Sequence, residues 1–199
     1  MIKRFVGDRA FYRRVLGVAL PILIQNGISN FVSLLDNIMV GQVGTLPMSG
    51  VSIVNQILFV FNLCVFGAVS GAGIFTAQFY GSQDHEGIRY TFRYKLLVGV
   101  GLVIVGTVVF LLAGQPLIRL YLLGEGDPRD ITLTLAYGSD YLRLMLLGLL
   151  PFALSSAYAG TLRETGQTLV PMVGGVTAVL VNLILNYVLI FGRFGAPAM

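Results

Sequence analysis

Long apolar runs broken by short turn-rich stretches dominate the pattern of this chain. A membrane-spanning helix takes ~20 apolar residues. On that measure the pattern predicts about five helices, at residues 15–40, 51–79, 94–113, 133–162 and 169–191. The third is free of charge from Leu96 to Ala113, and the fourth carries Asp140 and Arg143 in its first turns. The stretches Gly41–Gly44, Gly81–Asp84, Gly124–Pro128 and Arg163–Gly166 are predicted turns, because Gly, Pro, Asp and Ser punctuate local structure. The expected fold is an all-α membrane protein, a polytopic bundle of about five transmembrane helices whose partner is the lipid bilayer.

Composition agrees with this pattern. Hydrophobic residues make up 56% of the chain and charged residues 11%, against ~25% charged in soluble domains. The mean hydropathy is +0.84. The net charge of +4 does not point to nucleic acid, because the basic residues flank apolar runs rather than forming a patch. Nine Lys and Arg fall on the side of the N-terminal tail and the second and fourth connections, against three on the other side. That excess predicts a multi-pass protein of the cell membrane with a cytoplasmic N-terminus. Arg89, Arg93 and Lys95 are counted there as loop residues. With no Trp, the interfacial belt falls to tyrosines such as Tyr12, Tyr80, Tyr94 and Tyr121. Gly67 and Gly71 form a small-xxx-small pair on the second helix, extended by Ala68 and Ala72, and Cys64 is expected to pack inside that helix. The single His, His85, lies in a connection, and no nucleophile–base or metal constellation is present, so an enzyme is not expected.

Polar residues inside the runs carry the chemistry. Asp36 is the only charge between Val15 and Val40. A carboxylate at membrane depth costs ~2.5–3.5 kcal/mol on insertion scales, which makes an ion, proton or substrate site the default reading. Its place near the helix end also allows it to reach interfacial water. Asn182 and Asn186 are four apart and share a helix face. With a carboxylate from another helix they would form an oxygen-rich cluster suited to Na⁺ or to a held proton. The same amides would also serve as interhelical hydrogen-bond glue, worth ~0.6–2 kcal/mol. Gln25, Asn26 and Asn30 put polarity on one stripe of the first helix, as expected of a helix facing a wet cavity. Asn37 points ~100° away from Asp36 and is not expected to share its site. Pro21 removes a hydrogen bond inside the first helix and predicts a bend there, while Pro171 is a tolerated first-turn proline.

Four segments together resemble one family. Val32–Gly44 (VSLLDNIMVGQVG) resembles the first-helix signature of the multidrug and toxic compound extrusion (MATE) transporters. Gly73–Gly81 with Asp84 is similar to the exit of that family's second helix. Leu162–Pro171 resembles the connection before the fifth helix, and Asn182–Gly192 resembles the end of that helix. The resemblance covers essentially the whole chain, residues 1–199, but only the N-terminal lobe of a family built from two six-helix lobes. It implies a secondary antiporter that exports drugs, or cationic and amphipathic organic compounds, in exchange for Na⁺ or H⁺, with no other cofactor. It further implies that Asp36 and Asn182 belong to the cation-coupling site, where Na⁺ would also be held. Asn186 occupies a position that is aspartate in some members, which leaves one carboxylate in the cluster. Pro21 matches the proline where the first helix bends, and Tyr141 a fourth-helix tyrosine near the site. Gln25, Asn30 and Tyr141 are the expected substrate-cavity residues. A C-terminal lobe is the expected intramolecular partner, and a lobe by itself is expected to be inactive. The alternative is a flippase for lipid-linked precursors, which should line its lobe with cations. The sequence shows almost none inside its apolar runs, which ranks that reading second.

Overall fold

The computed structural model describes residues 7–42, 44–123 and 127–190. They form five helices: α1 (Arg9–Gly41), α2 (Thr45–Gly81), α3 (His85–Tyr121), α4 (Pro128–Glu164) and α5 (Leu169–Ile190). Among the described residues there is no strand. Each helix contains an apolar window long enough to cross a membrane.

The starts of α1, α3 and α4 are set by capping carboxylates. Asp8 accepts from Phe11 N–H at 2.7 Å, Asp84 from Glu86 and Gly87 N–H at 3.1 and 2.9 Å, and Asp127 from Arg129 N–H at 3.0 Å. These bonds satisfy donors that a helix N-terminus otherwise leaves unmade. Pro128 follows Asp127 at the first helical position, where a missing N–H costs nothing. Past the end of α4, Gly166 adopts φ +81°, which a residue without Cβ does freely.

Helices α1 to α4 are longer than the apolar runs that predict them. A 37-residue helix spans ~55 Å, whereas the hydrocarbon layer is ~30 Å thick. Apolar runs mark the layer; caps mark the helix. Gly41, Gly81, Arg163 and Glu164 are therefore helical rather than turn residues. His85, Arg89, Arg93 and Lys95 lie on α3, not in a loop. Asp140 and Arg143 sit about a dozen residues inside α4, where Arg143 Nη1 and Asp140 Oδ1 form an exposed 3.6 Å pair. The predicted turn residues Val43 and 124–126, and Phe191 at the predicted end of the fifth helix, lie outside the described residues.

Two packing units result. Helices α2, α3 and α4 share a core that includes Val54, Phe61, Val65, Phe110, Ile118 and Leu142. Phe61 and Phe110 meet edge to face at 6.0 Å. Gly50 lets α2 cross α4 backbone to backbone, since a Cβ there would stand 2.9 Å from Gly138 N and Thr134 O. Helices α1 and α5 pack on each other and touch the trio only sparsely. Accordingly α1 buries only Pro21 and Val32 among its described residues, and α5 only Pro171. Between pair and trio lies a cleft of about 780 Å³.

Two packing expectations change. Gly67 and Gly71 are exposed, and a Cβ on either would meet nothing within 4 Å, so the close approach falls on Gly50 instead. Cys64 is exposed rather than packed. The turn of the small-residue stripe that is buried is the one bearing Ala72 and Gly73.

Candidate functional site

The α1/α5 pairing brings the intramembrane carboxylate and both amides together. Asn186 Nδ2 donates to Asp36 Oδ1 at 3.0 Å and to Asn182 Oδ1 at 3.3 Å. One amide thus clamps α1 to α5 and orients its neighbour one turn away. Asp36 and Asn186 are half-buried, and Asn182 is exposed. The seam thus gathers one carboxylate and two amides, hard oxygens of the kind that can hold a small monovalent cation or a proton. No group of three or more His, Cys, Asp or Glu suited to a metal ion occurs among the described residues. Asn37 is exposed and points away.

The residues expected to line a substrate cavity separate. Gln25 lines the cleft between pair and trio, next to Ser29. Asn30 is exposed and not part of that lining. Adjacent helix positions diverge by ~100°, and the cleft takes Ser29 where the stripe suggested Asn30. Tyr141 is also not in the cleft. Its hydroxyl donates to Asn55 Oδ1 at 3.2 Å, tying α4 to α2. Pro21 is buried inside α1, which runs helical on both sides of it.

A second polar cluster escaped the sequence reading. Lys95 is buried completely, with its ammonium on Glu164 and its Nζ 3.2 Å from Thr161 Oγ1. Glu164 lies over Gly73, where any Cβ would collide with the carboxylate. Arg163, beside it, donates through Nη2 to Gln25 Oε1 at 2.9 Å and so bridges α4 and α1. Gln25 is seated over Gly175 of α5, where a Cβ would strike its side-chain amide. The signal was available: Lys95 falls on the face of α3 on which Gly87, Gly99 and Gly106 are also buried. A basic residue flanking an apolar run was counted as loop because the run, not the cap at Asp84, set the boundary. The correction matters chemically, since the lobe is not bare of inward cations.

The MatE family model matches residues 21–188. The chain is 27% identical over 188 residues to the probable multidrug resistance protein NorM of Thermotoga maritima, covering 94% of this chain and 39% of that protein. It is 30% identical over 190 residues to the NorM of Shewanella oneidensis, covering 94% and 39%. The Bacillus subtilis NorM matches over the full chain at 25% identity and 42% of its own length. The chain thus spans about two-fifths of the length of the curated relatives it matches. Two solved structures share the fold at 21% identity, each covering 92% of this chain and 39% of theirs. One, with TM-score 0.76, is described as the outward-facing conformation of a multidrug resistance MATE family transporter of the MOP superfamily. The other, with TM-score 0.72, is a MOP superfamily transporter from Pyrococcus furiosus whose binding pocket is described as reversed in polarity.

Proposed function

The chain belongs to the MatE family and is a multi-pass membrane protein, and from that premise we propose that it is the N-terminal lobe of an exporter of amphipathic organic compounds. The exporter is an antiporter of the cell membrane, driven by Na⁺ or H⁺, with the N-terminus in the cytoplasm. The observation that carries the reading is the 3.0 Å bond from Asn186 to Asp36, which makes the only acid of the α1/α5 seam part of an interhelical clamp.

The clamp supplies a coupling step. A cation or proton arriving at Asp36 competes with the Asn186 amide for the same carboxylate. Occupancy therefore changes how firmly α1 is held to α5. Because this pair touches α2–α4 only sparsely, a small change at the seam shifts the pair against the trio, with Pro21 the soft point of α1. The cleft beside Gln25 and Ser29 is the path of the organic compound. Alternating access needs a second body to move against, which is the part a C-terminal lobe plays.

Retention of a fluorescent zwitterionic amphiphile in pump-deficient cells producing the full transporter tests this. Export that follows the Na⁺ or H⁺ gradient and disappears in Asp36→Asn supports the reading. Undiminished, gradient-driven export in Asp36→Asn removes Asp36 from coupling. Reconstitution of the 199-residue chain alone, beside a full-length relative, separates a lobe that transports from one that needs its partner.

A further inference from the structure

The cleft between the α1/α5 pair and the trio is lined largely by apolar side chains, among them Phe66, Val69, Phe152 and Val170, with four serines interspersed. Its volume of about 780 Å³ lies inside the ~300–1,000 Å³ range of sites for drug-sized ligands. Charge is concentrated at one place. Arg163 and Glu164 belong to the lining, and Lys95 is buried against Glu164. Two cations and one carboxylate meet there, leaving one positive charge uncompensated.

That charge resides on Arg163. The Glu164 carboxylate is committed to Lys95 and packed over Gly73. The described partner of the Arg163 guanidinium is a neutral amide, Gln25 Oε1. Its Nε is buried and makes no hydrogen bond among the described residues. A buried donor left unmade is costly, and more so on an ion. The planar fork of arginine matches a carboxylate or phosphate through two parallel bonds; with Nε covered by protein, the Nη edge is the one that meets a ligand in the cleft.

We propose that the cleft binds amphipathic organic anions, with Arg163 taking the anionic group and the apolar body lying against Phe66 and Phe152. The proposal takes the cleft as the substrate path and names the substrate class that path selects. It places an anion site at the Arg163 end. Asp36 lies outside the cleft lining, eleven residues further along α1 from Gln25 and ~16 Å away along the helix. A purely cationic compound is disfavoured at the Arg163 end of the cleft.

The test uses the purified chain in phosphatidylcholine nanodiscs, equilibrium dialysis, and three probes on one ring system: 2-naphthoate, 2-naphthamide and 2-naphthylmethylamine. Binding to empty nanodiscs is subtracted. The expected result is saturable naphthoate binding about tenfold or more tighter than that of the amide and the amine. Arg163→Gln should weaken naphthoate by a similar factor and leave naphthamide unchanged, while Arg163→Lys retains part of the preference. Gly174→Leu, which fills open space on the lining, should weaken all three probes. The wild-type comparison alone decides the matter should the Arg163 variants fail to fold. Equal binding of amide and acid, tightest binding of the amine, or naphthoate binding indifferent to Arg163→Gln overturns the proposal. Displacement of naphthoate by enriching the nanodiscs in phosphatidylglycerol makes the occupant a lipid headgroup, and that also overturns it. Binding is read without an ion gradient. Loss of gradient-driven export therefore leaves this proposal standing, and loss of naphthoate binding leaves coupling at Asp36 standing.

Discussion

At the residue scale the account rests on what each buried polar atom touches. Asp36→Asn preserves the shape of the clamp, because the new amide oxygen still accepts from Asn186. The variant should fold with a thermal midpoint close to wild type while its Na⁺ and pH responses vanish; differential scanning fluorimetry beside ion titration reads both. Asn186→Ala removes the clamp itself and should free α1 from α5 without removing the charge. Lys95 makes a sharper stability prediction. Its ammonium is fully buried on Glu164, and breaking a buried pair from one side costs ~3–5 kcal/mol. Lys95→Met should lower the unfolding midpoint strongly, and Lys95→Met with Glu164→Leu should recover much of the loss. A double variant as unstable as the single one would contradict that pairing. Asp36, Asn182 and Asn186 were legible in the sequence because amides and a carboxylate are rare inside apolar runs. Lys95 and Arg163 were not, because they stand at the ends of runs, where basic residues are ordinary topology signals.

Helices carry the next set of consequences. The number and order of the elements followed from hydropathy alone, since only helices and closed barrels satisfy their backbone inside a bilayer and continuous apolar runs of this length read as helices. Their ends did not follow, because α2, α3 and α4 extend past the hydrocarbon layer to caps at Gly44, Asp84 and Asp127. Nor did the glycines that matter. Composition offers Gly67 and Gly71 as readily as Gly50, and only the crossing of α2 over α4 tells them apart. Gly50→Val should therefore push the helices apart and cost ~1–3 kcal/mol, whereas Gly67→Ala should be neutral or stabilising by up to ~1 kcal/mol. Thermal unfolding in detergent ranks the two, and equal effects would contradict the close crossing. At α5, Gly175→Leu collides with the flexible end of Gln25 rather than with backbone. It should break the Arg163–Gln25 bond and leave the fold intact, read as faster hydrogen exchange in the turn between α4 and α5.

For the molecule as a whole, the division into a packed trio and a lightly attached pair is the property that function uses. The pair carries the acid, both asparagines and Pro21; the trio carries the core and the buried ion pair. The cleft between them is the space a small molecule can occupy. None of this division was visible in hydropathy, which rates α1 and α5 as apolar as the rest. It emerges only from which faces find partners. The central claim is that an ion on Asp36 moves the pair against the trio. Spin labels on Cys introduced at Leu20 of α1 and Leu112 of α3, both exposed, with the exposed Cys64 replaced by Ser, measure that distance directly by double electron–electron resonance. The account predicts a distance distribution that shifts on adding Na⁺ or lowering pH and a shift that is lost in Asp36→Asn. A distribution that ignores both ions, or one that shifts equally in Asp36→Asn, would contradict it.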